Sequence, residues 1–216
     1  MFIDIHIHEK TYSNDSHIAL DEIIDRAKEM GLDGICITDH DSNDLMDKAH
    51  NIAKKRDFLI IVGAEILTYE GDMLVFGLDH LPKEKLHADE LLKLVEKSKG
   101  VAISAHPFRP SNRATGNYNR SLRGFRGIEA FNGTTKSQYN TLAYYLAQEL
   151  NLPALGGSDA HHIHQIGQCA TLFPDGIRDE KDLIQAIVSR EVSPIIYRNN
   201  TFQSIVKQDS LSMIIS

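Results

Sequence analysis

The sequence predicts an α/β fold, an irregular (β/α)7 barrel in a single domain. Three observations predict it. Short apolar runs alternate with amphipathic stretches along nearly the whole chain, an order that gives a mostly parallel sheet with helices outside. At least five of those runs end in a histidine or a carboxylate, and closure gathers such ends around one mouth where an open sheet would spread them along an edge. At 216 residues the chain is long enough for an undivided barrel with a large core.

The elements follow in order. Phe2-Ile3-Asp4-Ile5-His6-Ile7-His8 reads as a strand with His6 and His8 on one face and Ile3, Ile5 and Ile7 on the other. Residues 18–30 carry Leu20, Ile23, Ile24 and Ala27 at helical spacing, and Gly31 stops them. Gly34-Ile35-Cys36-Ile37-Thr38 is a buried strand running into Asp39-His40-Asp41, where one of the two aspartates is expected to orient an imidazole or to cap the next helix. A polar helix over 42–56 precedes a buried strand at 58–62 that ends in Gly63-Ala64-Glu65, and 73–78 forms a further strand. Asp89 is placed to cap a helix whose Leu91, Leu94 and Val95 face inward.

Val101-Ala102-Ile103-Ser104-Ala105 runs into His106-Pro107, and the irregular stretch that follows is long enough for a functional loop or lid. Residues 128–131 are a strand ending in Asn132-Gly133, and a helix over 137–150 is expected to bury Tyr139, Leu142, Leu146 and Leu150. Pro153-Ala154-Leu155-Gly156-Gly157 delivers Ser158-Asp159-Ala160-His161. A strand at 169–173, a helix capped by Asp179 and a strand at 194–197 close the series. The predicted domain is 1–198, with 199–216 as a C-terminal extension.

Composition narrows the function classes. A net charge of −7 with 42% hydrophobic and 25% charged residues argues against a chain that coats nucleic acid or anionic membrane. Cys36 and Cys169 lie in apolar runs and read as buried reduced thiols. Met1 leads directly into a strand, and no apolar run approaches the ~20 residues of a membrane span, so a cytoplasmic protein is expected.

Collected, the candidate metal ligands are His6, His8, Asp15, His40, Glu65, His106, Asp159 and His161. Nitrogen and carboxylate donors without thiolate suit zinc, manganese or iron, and eight are too many for one four-coordinate ion. A polynuclear site is expected.

Here the sequence resembles the PHP family, named for polymerase and histidinol phosphatase, through Asp4-Ile5-His6-Ile7-His8, Tyr12-Ser13-Asn14-Asp15-Ser16, Ile37-Thr38-Asp39-His40-Asp41, Gly63-Ala64-Glu65, Ala105-His106-Pro107-Phe108-Arg109, Phe131-Asn132-Gly133 and Gly157-Ser158-Asp159-Ala160-His161. It is similar to that family's short, stand-alone branch of metal-dependent phosphoesterases on a TIM-like barrel. The resemblance implies that His6, His8, Glu65 and Asp159 hold a first ion, Glu65 and His106 a second, and Asp15, His40 and His161 a third. One departure matters: Leu74 stands where a further histidine belongs. Asp72, two residues earlier on the same strand face, is the substitute to consider, and His80 a poorer one.

The chemistry expected of such a site is hydrolysis of a small phosphorylated metabolite or nucleotide by a metal-bridged hydroxide at a di- or trinuclear centre of zinc, manganese or iron. Three divalent ions less the charges of Asp15, Glu65 and Asp159 leave a cationic pocket that a phosphate dianion and a hydroxide would neutralise. The loop over 107–127 agrees: it carries Arg109, Arg113, Arg120, Arg123 and Arg126 and no acidic residue. Arg109 is the first choice for a phosphate contact, with Asn132 as a further substrate contact or ordinary turn chemistry. The residues expected to carry the reaction are Glu65, Asp159, His161 and Arg109. His162 and His164 are rim residues, and His17, His50 and His87 surface residues. Nucleic acid is expected only as a short oligonucleotide substrate. The competing readings are a nuclease trimming nucleotide ends, C–N bond hydrolysis, which no lysine at a strand end supports, and a catalytically silent metal-binding domain.

Overall fold

The computed structural model describes residues 1–205. In chain order the elements are β1 (Phe2–Ile7), α1 (Leu20–Met30), β2 (Gly34–Ile37), α2 (Met46–Arg56), β3 (Leu59–Val62), β4 (Ala64–Leu67), β5 (Asp72–Phe76), α3 (Ala88–Lys97) and β6 (Val101–Ser104). They continue as β7 (Gly127–Asn132), α4 (Ser137–Glu149), β8 (Ala154–Gly157), β9 (Cys169–Leu172), α5 (Glu180–Val188), β10 (Ser193–Arg198) and β11 (Thr201–Ser204).

Hydrogen bonding divides the strands into two sheets, in the orders β11-β10-β9-β1-β2-β3 and β4-β5-β6-β7-β8. The α/β class holds, and the expected (β/α)7 barrel is not confirmed: among the described residues the ladders form two sheets and not one closed barrel. Two isolated parallel bridges, Ile7 with Ala160 and His40 with Glu65, join the sheets at the strand ends. Among the strand ladders of the described residues, β1-β2-β3 and β6-β7-β8 pair in parallel and the remaining pairs are antiparallel. Gly63 separates β3 from β4, which the sequence reading had merged, and any side chain there would collide with the Phe76 ring at 2.6 Å. The register of β1 on β2 shifts between Asp4 and Ile7. Accordingly Ile3 and Ile5 pack with Cys36, Leu74 and Phe76, while Ile7 packs with α1; the three isoleucines do not share one cluster.

Local chemistry explains the helix ends. The Glu22 carboxylate accepts the Ala19 amide at 2.9 Å to start α1, and Gly31, at φ 80°, ends it. His87, not Asp89, is the N-cap of α3, and Glu90 accepts its amide at 2.9 Å. Asp179 caps α5 by accepting the Asp182 amide at 3.0 Å. On α4 the buried residues are Asn140, Ala143, Leu146 and Ala147, while Leu142 is 49% exposed because the buried stripe lies one position round from the expected one. Part of the expected C-terminal extension is β11, which pairs antiparallel with β10; residues 206–216 lie outside the described residues. Among the described residues no helix is long and apolar enough to cross a membrane.

Candidate metal centre

Six strand ends deliver the donors. β1 carries His6 and is followed by His8, which β2 faces with His40 beyond its end; β4 and β5 supply Glu65 and Asp72; β6 and β8 lead into His106 and Asp159. His106 and Asp159 adopt positive φ, 28° and 54°, at sharp turns after their strands. His6, His8, Glu65, Asp72 and Asp159 are at most 1% exposed.

The first group converges tightly. His6 Nε2 lies 3.0 Å from His8 Nε2, 3.4 Å from Asp159 Oδ1 and 3.6 Å from Glu65 Oε1. His8 Nε2 lies 3.2 Å from Asp159 Oδ1 and 3.6 Å from Glu65 Oε2. Donors placed about 2.0–2.2 Å from a common ion are about 2.8–3.6 Å apart in octahedral or tetrahedral arrangements, so these spacings suit a divalent cation. In the second group, His106 Nε2 lies 2.8 Å from Glu65 Oε1 and 3.9 Å from Asp72 Oδ2. Asp72 Oδ1 and His106 Nδ1, the atoms of these side chains that do not enter those distances, are buried without a protein hydrogen-bond partner among the described residues. In the third, Asp15 Oδ2 lies 3.2 Å from His40 Nε2 and 3.4 Å from His161 Nε2, and His8, His40 and His161 each place a ring nitrogen within 4.8 Å of the others. The residues therefore fit a set of divalent ions.

Electrostatics shows the same design. Burial alone would push the His6 ring down, but Asp159, Glu129 and Glu65 outweigh it and hold the imidazole well above its usual range. His8, equally buried and beside His6, is pushed down to about 4. Burial also acts to raise Glu65 and Asp159, yet the charge on His6 and hydrogen bonds from neighbouring histidines keep both well below the usual carboxylate range. Asp72, buried and repelled by Glu65, is pushed up to about 7. Buried donors with opposite shifts crowd one pocket, which is where positive charge is most needed.

Around these donors stand residues that aim them. Glu129, fully buried on β7, was missed by the sequence reading: its Oε1 lies 2.8 Å from His6 Nδ1, and its Oε2 accepts from the His106 amide at 2.8 Å and Asn132 Nδ2 at 3.0 Å. The available signal was a carboxylate inside an apolar strand. Asp39 Oδ1 accepts from Ser13 Oγ at 2.8 Å, and that hydroxyl lies 3.2 Å from His8 Nδ1, so Asp39 takes the orienting role. Asp41 instead accepts the Leu67 amide at 3.0 Å. Gly157 makes the close approach possible, because a Cβ there would lie 2.6 Å from His6 Cβ and 2.8 Å from Glu129 Oε1.

The loop arginines divide. Arg109 donates to Asn132 Oδ1 and Thr134 Oγ1, each at 2.7 Å, to Thr135 Oγ1 at 3.0 Å, and to Asp159. Arg113 also faces the centre, through Asp72. Arg120 pairs with Glu149, Arg126 with Glu96, and Arg123 caps the carbonyls of Arg120 and Leu122. His162 stacks between His17 and His164 at the exposed rim, with ring centroids 4.8 and 5.8 Å away, while His80 and His50 are exposed elsewhere.

The fold and this donor set define an α/β protein with a histidine–carboxylate pocket suited to divalent ions. The chain belongs to the PHP domain family, whose model matches residues 4–121, and a PHP-associated model matches residues 137–192. An uncharacterized protein of Methanocaldococcus jannaschii is 29% identical over 142 residues, 61% of this chain and 82% of the relative. Among solved structures, PsfC from Pseudomonas syringae is similar with a TM-score of 0.69 at 21% identity, covering 99% of this chain and 95% of that one. A Bifidobacterium adolescentis protein provisionally assigned as a metal-dependent phosphoesterase has a TM-score of 0.67 at 16% identity, covering 87% and 96%. The lesion-specific endonuclease EndoQ of Pyrococcus furiosus has a TM-score of 0.63 at 15% identity, covering 98% of this chain and 65% of the endonuclease. At these identities the likeness is one of fold.

Proposed function

We propose that the chain is a metal-dependent phosphoesterase acting on a small phosphorylated metabolite or nucleotide. The observation that carries this reading is the meeting of four overlapping His/Asp/Glu groups in one pocket with two guanidinium groups on its wall. His6, His8, Glu65 and Asp159 would hold one ion, Glu65, Asp72 and His106 a second, and Asp15, His40 and His161 a third. When bound, zinc, manganese or iron supplies Lewis acidity, acidifying water and neutralising phosphoryl oxygens. Glu129 keeps the His6 proton on Nδ1 and leaves Nε2 facing the pocket. The Asp159 carbonyl does the same for His161, accepting from its Nδ1 at 3.0 Å. Asn132, Thr134, Thr135 and Asp159 hold Arg109 through Nε and Nη2, and among the described residues its Nη1 has no protein partner, leaving it for a phosphoryl oxygen.

The test is turnover of p-nitrophenyl phosphate and nucleoside monophosphates before and after chelation. Activity should disappear with the metal and return with manganese or zinc. A metal-replete sample inert to a broad phosphoester panel sinks the proposal in favour of a silent metal-binding domain. Phosphate release from mononucleotides, compared with shortening of labelled oligonucleotides, separates this reading from a nuclease that trims nucleotide ends, the second reading to which the endonuclease of the same fold lends support.

A further inference from the structure

Arg113 differs from every other arginine of its loop in being fastened to the second donor group through both backbone and side chain. The Asp72 amide donates to the Arg113 carbonyl at 2.8 Å, and Gly71, at φ 141°, leaves no room for a side chain against the backbone of Arg113, Ala114 and Thr115. Two residues on, Thr115 Oγ1 and Ser104 Oγ, both buried, lie 2.8 Å apart. The loop is thus pinned to β5 and β6 at this point, and the guanidinium reaches the donors from a fixed base. Its Nε donates to Asp72 Oδ2 at 2.7 Å, and its Nη2 lies 3.6 Å from Glu65 Oε2 and 3.2 Å from His40 Nδ1.

Two of the three donors in the Glu65–Asp72–His106 group are therefore already facing a cation. A guanidinium never loses its charge at accessible pH and binds carboxylates in directional geometry. A divalent ion drawn to the same oxygens competes with it, because each cation lowers the site's affinity for the other by the same factor. We infer that Arg113 is the resident cation of this group and that a divalent ion enters there only by displacing the guanidinium. His106 is the one neutral donor of this group, and of its two carboxylates Asp72 is the one bonded to Arg113. The inference rests on the metal-binding reading above and concerns the order and strength of filling; Arg113 acts here as a positioning residue.

The test counts bound Mn2+ by equilibrium dialysis on the metal-stripped full chain and on Arg113→Gln and Arg113→Lys, with circular dichroism confirming the fold. The weakest binding step should tighten in Arg113→Gln by about 5–150-fold, the usual span of coupling between two sites, while Arg113→Lys, which keeps the charge, stays close to the parent. A change below about fivefold in the glutamine variant, or an equal change in the lysine variant, overturns the inference. In the parent protein, where folding is not in question, the Arg113 Nε–H resonance should shift only as Zn2+ fills the last step; a resonance that ignores that step also overturns it. Failure to bind any ion defeats the metal reading as well, whereas ion binding with identical steps in all variants defeats this inference alone.

Discussion

Glu129 shows how much of this centre depends on residues that are not themselves donors. Its carboxylate touches the ring of one proposed ligand, His6, and the backbone of another, His106, from a fully buried position. Replacing it with Gln keeps the shape but weakens the acceptor that fixes the His6 tautomer. Such partners typically contribute 10–100-fold in metal affinity. We expect Glu129→Gln to lose about that much Mn2+ affinity while its circular dichroism stays native, as measured by competition with a chelating dye; an unchanged affinity would remove Glu129 from the orienting role. Most donors were legible in the sequence because they end apolar runs, as His106 ends Val101 to Ala105 and Asp159 follows Leu155-Gly156-Gly157, whereas Asp15 sits in a polar loop and Asp72 opens β5. Glu129 was not, since it sits inside a strand, where the alternation that hides a buried carboxylate also hides its purpose.

Among elements, the start of α3 offers the clearest coupling of charge to structure. Glu70 Oε2 accepts the Ala88 amide at 2.7 Å, and its Oε1 lies 2.8 Å from His87 Nδ1. That hydrogen bond raises His87 above 6.5, and Glu70 is lowered from 4.5 because the bonds from His87 and Ala88 outweigh the desolvation of its carboxylate. The raised histidine contributes stability that is fully present below pH 6.5 and is lost as pH rises through its folded value. The lowered glutamate contributes above pH 4.5 and loses that contribution as pH falls through its own folded value. The His87 ring should therefore titrate by proton NMR with a midpoint above 6.5 that returns toward 6.5 in Glu70→Gln; a midpoint indifferent to that substitution would mean that the pair does not exist in solution. The sequence reading placed the cap two residues late, at Asp89, because residue preference favours aspartate while the actual partner, Glu70, comes from a distant turn. The loop after His106 escaped the reading for a similar reason. Its irregular composition suggested a functional loop or a lid without choosing between them; its 3-10 helix (Gly116–Arg120), the buried Phe125 and the seat of Arg113 on Gly71 tie it down through contacts with no local signature.

For the whole molecule, the donors come from both sheets: His6 and His8 from β1 and the turn beyond it, Glu65 and Asp72 from β4 and β5, His106 and Asp159 from the ends of β6 and β8. Ions bound among them would join the sheets where, among the described residues, backbone hydrogen bonding gathers around two isolated bridges and forms no ladder. Each site filled at a hundred times its dissociation constant should add about 2.7 kcal/mol, raising the thermal midpoint of a chain this size by about 5–10 °C. Calorimetry of stripped and Mn2+-loaded protein checks this; His8→Ala should cancel the share of the rise that the His6–His8–Glu65–Asp159 site supplies, and a midpoint unmoved by Mn2+ would show that the ions do not join the sheets. The alternation of strands and helices was readable from periodicity. The division into two sheets was not, because it falls at the Gly63 break between β3 and β4 and at the junction of β1 with β8, where isolated bridges at Ile7–Ala160 and His40–Glu65 stand in place of ladders and leave no mark in the hydrophobic pattern.

Gly157 carries a lesson for recognising such proteins. Its bare Cα is the clearance into which His6 and Glu129 fit, so a sequence could retain every histidine and carboxylate named above and still be disarmed by a methyl group at this one position. An inventory of coordinating residues describes what a pocket could grasp; whether it closes around anything is decided by the space that one silent residue leaves open.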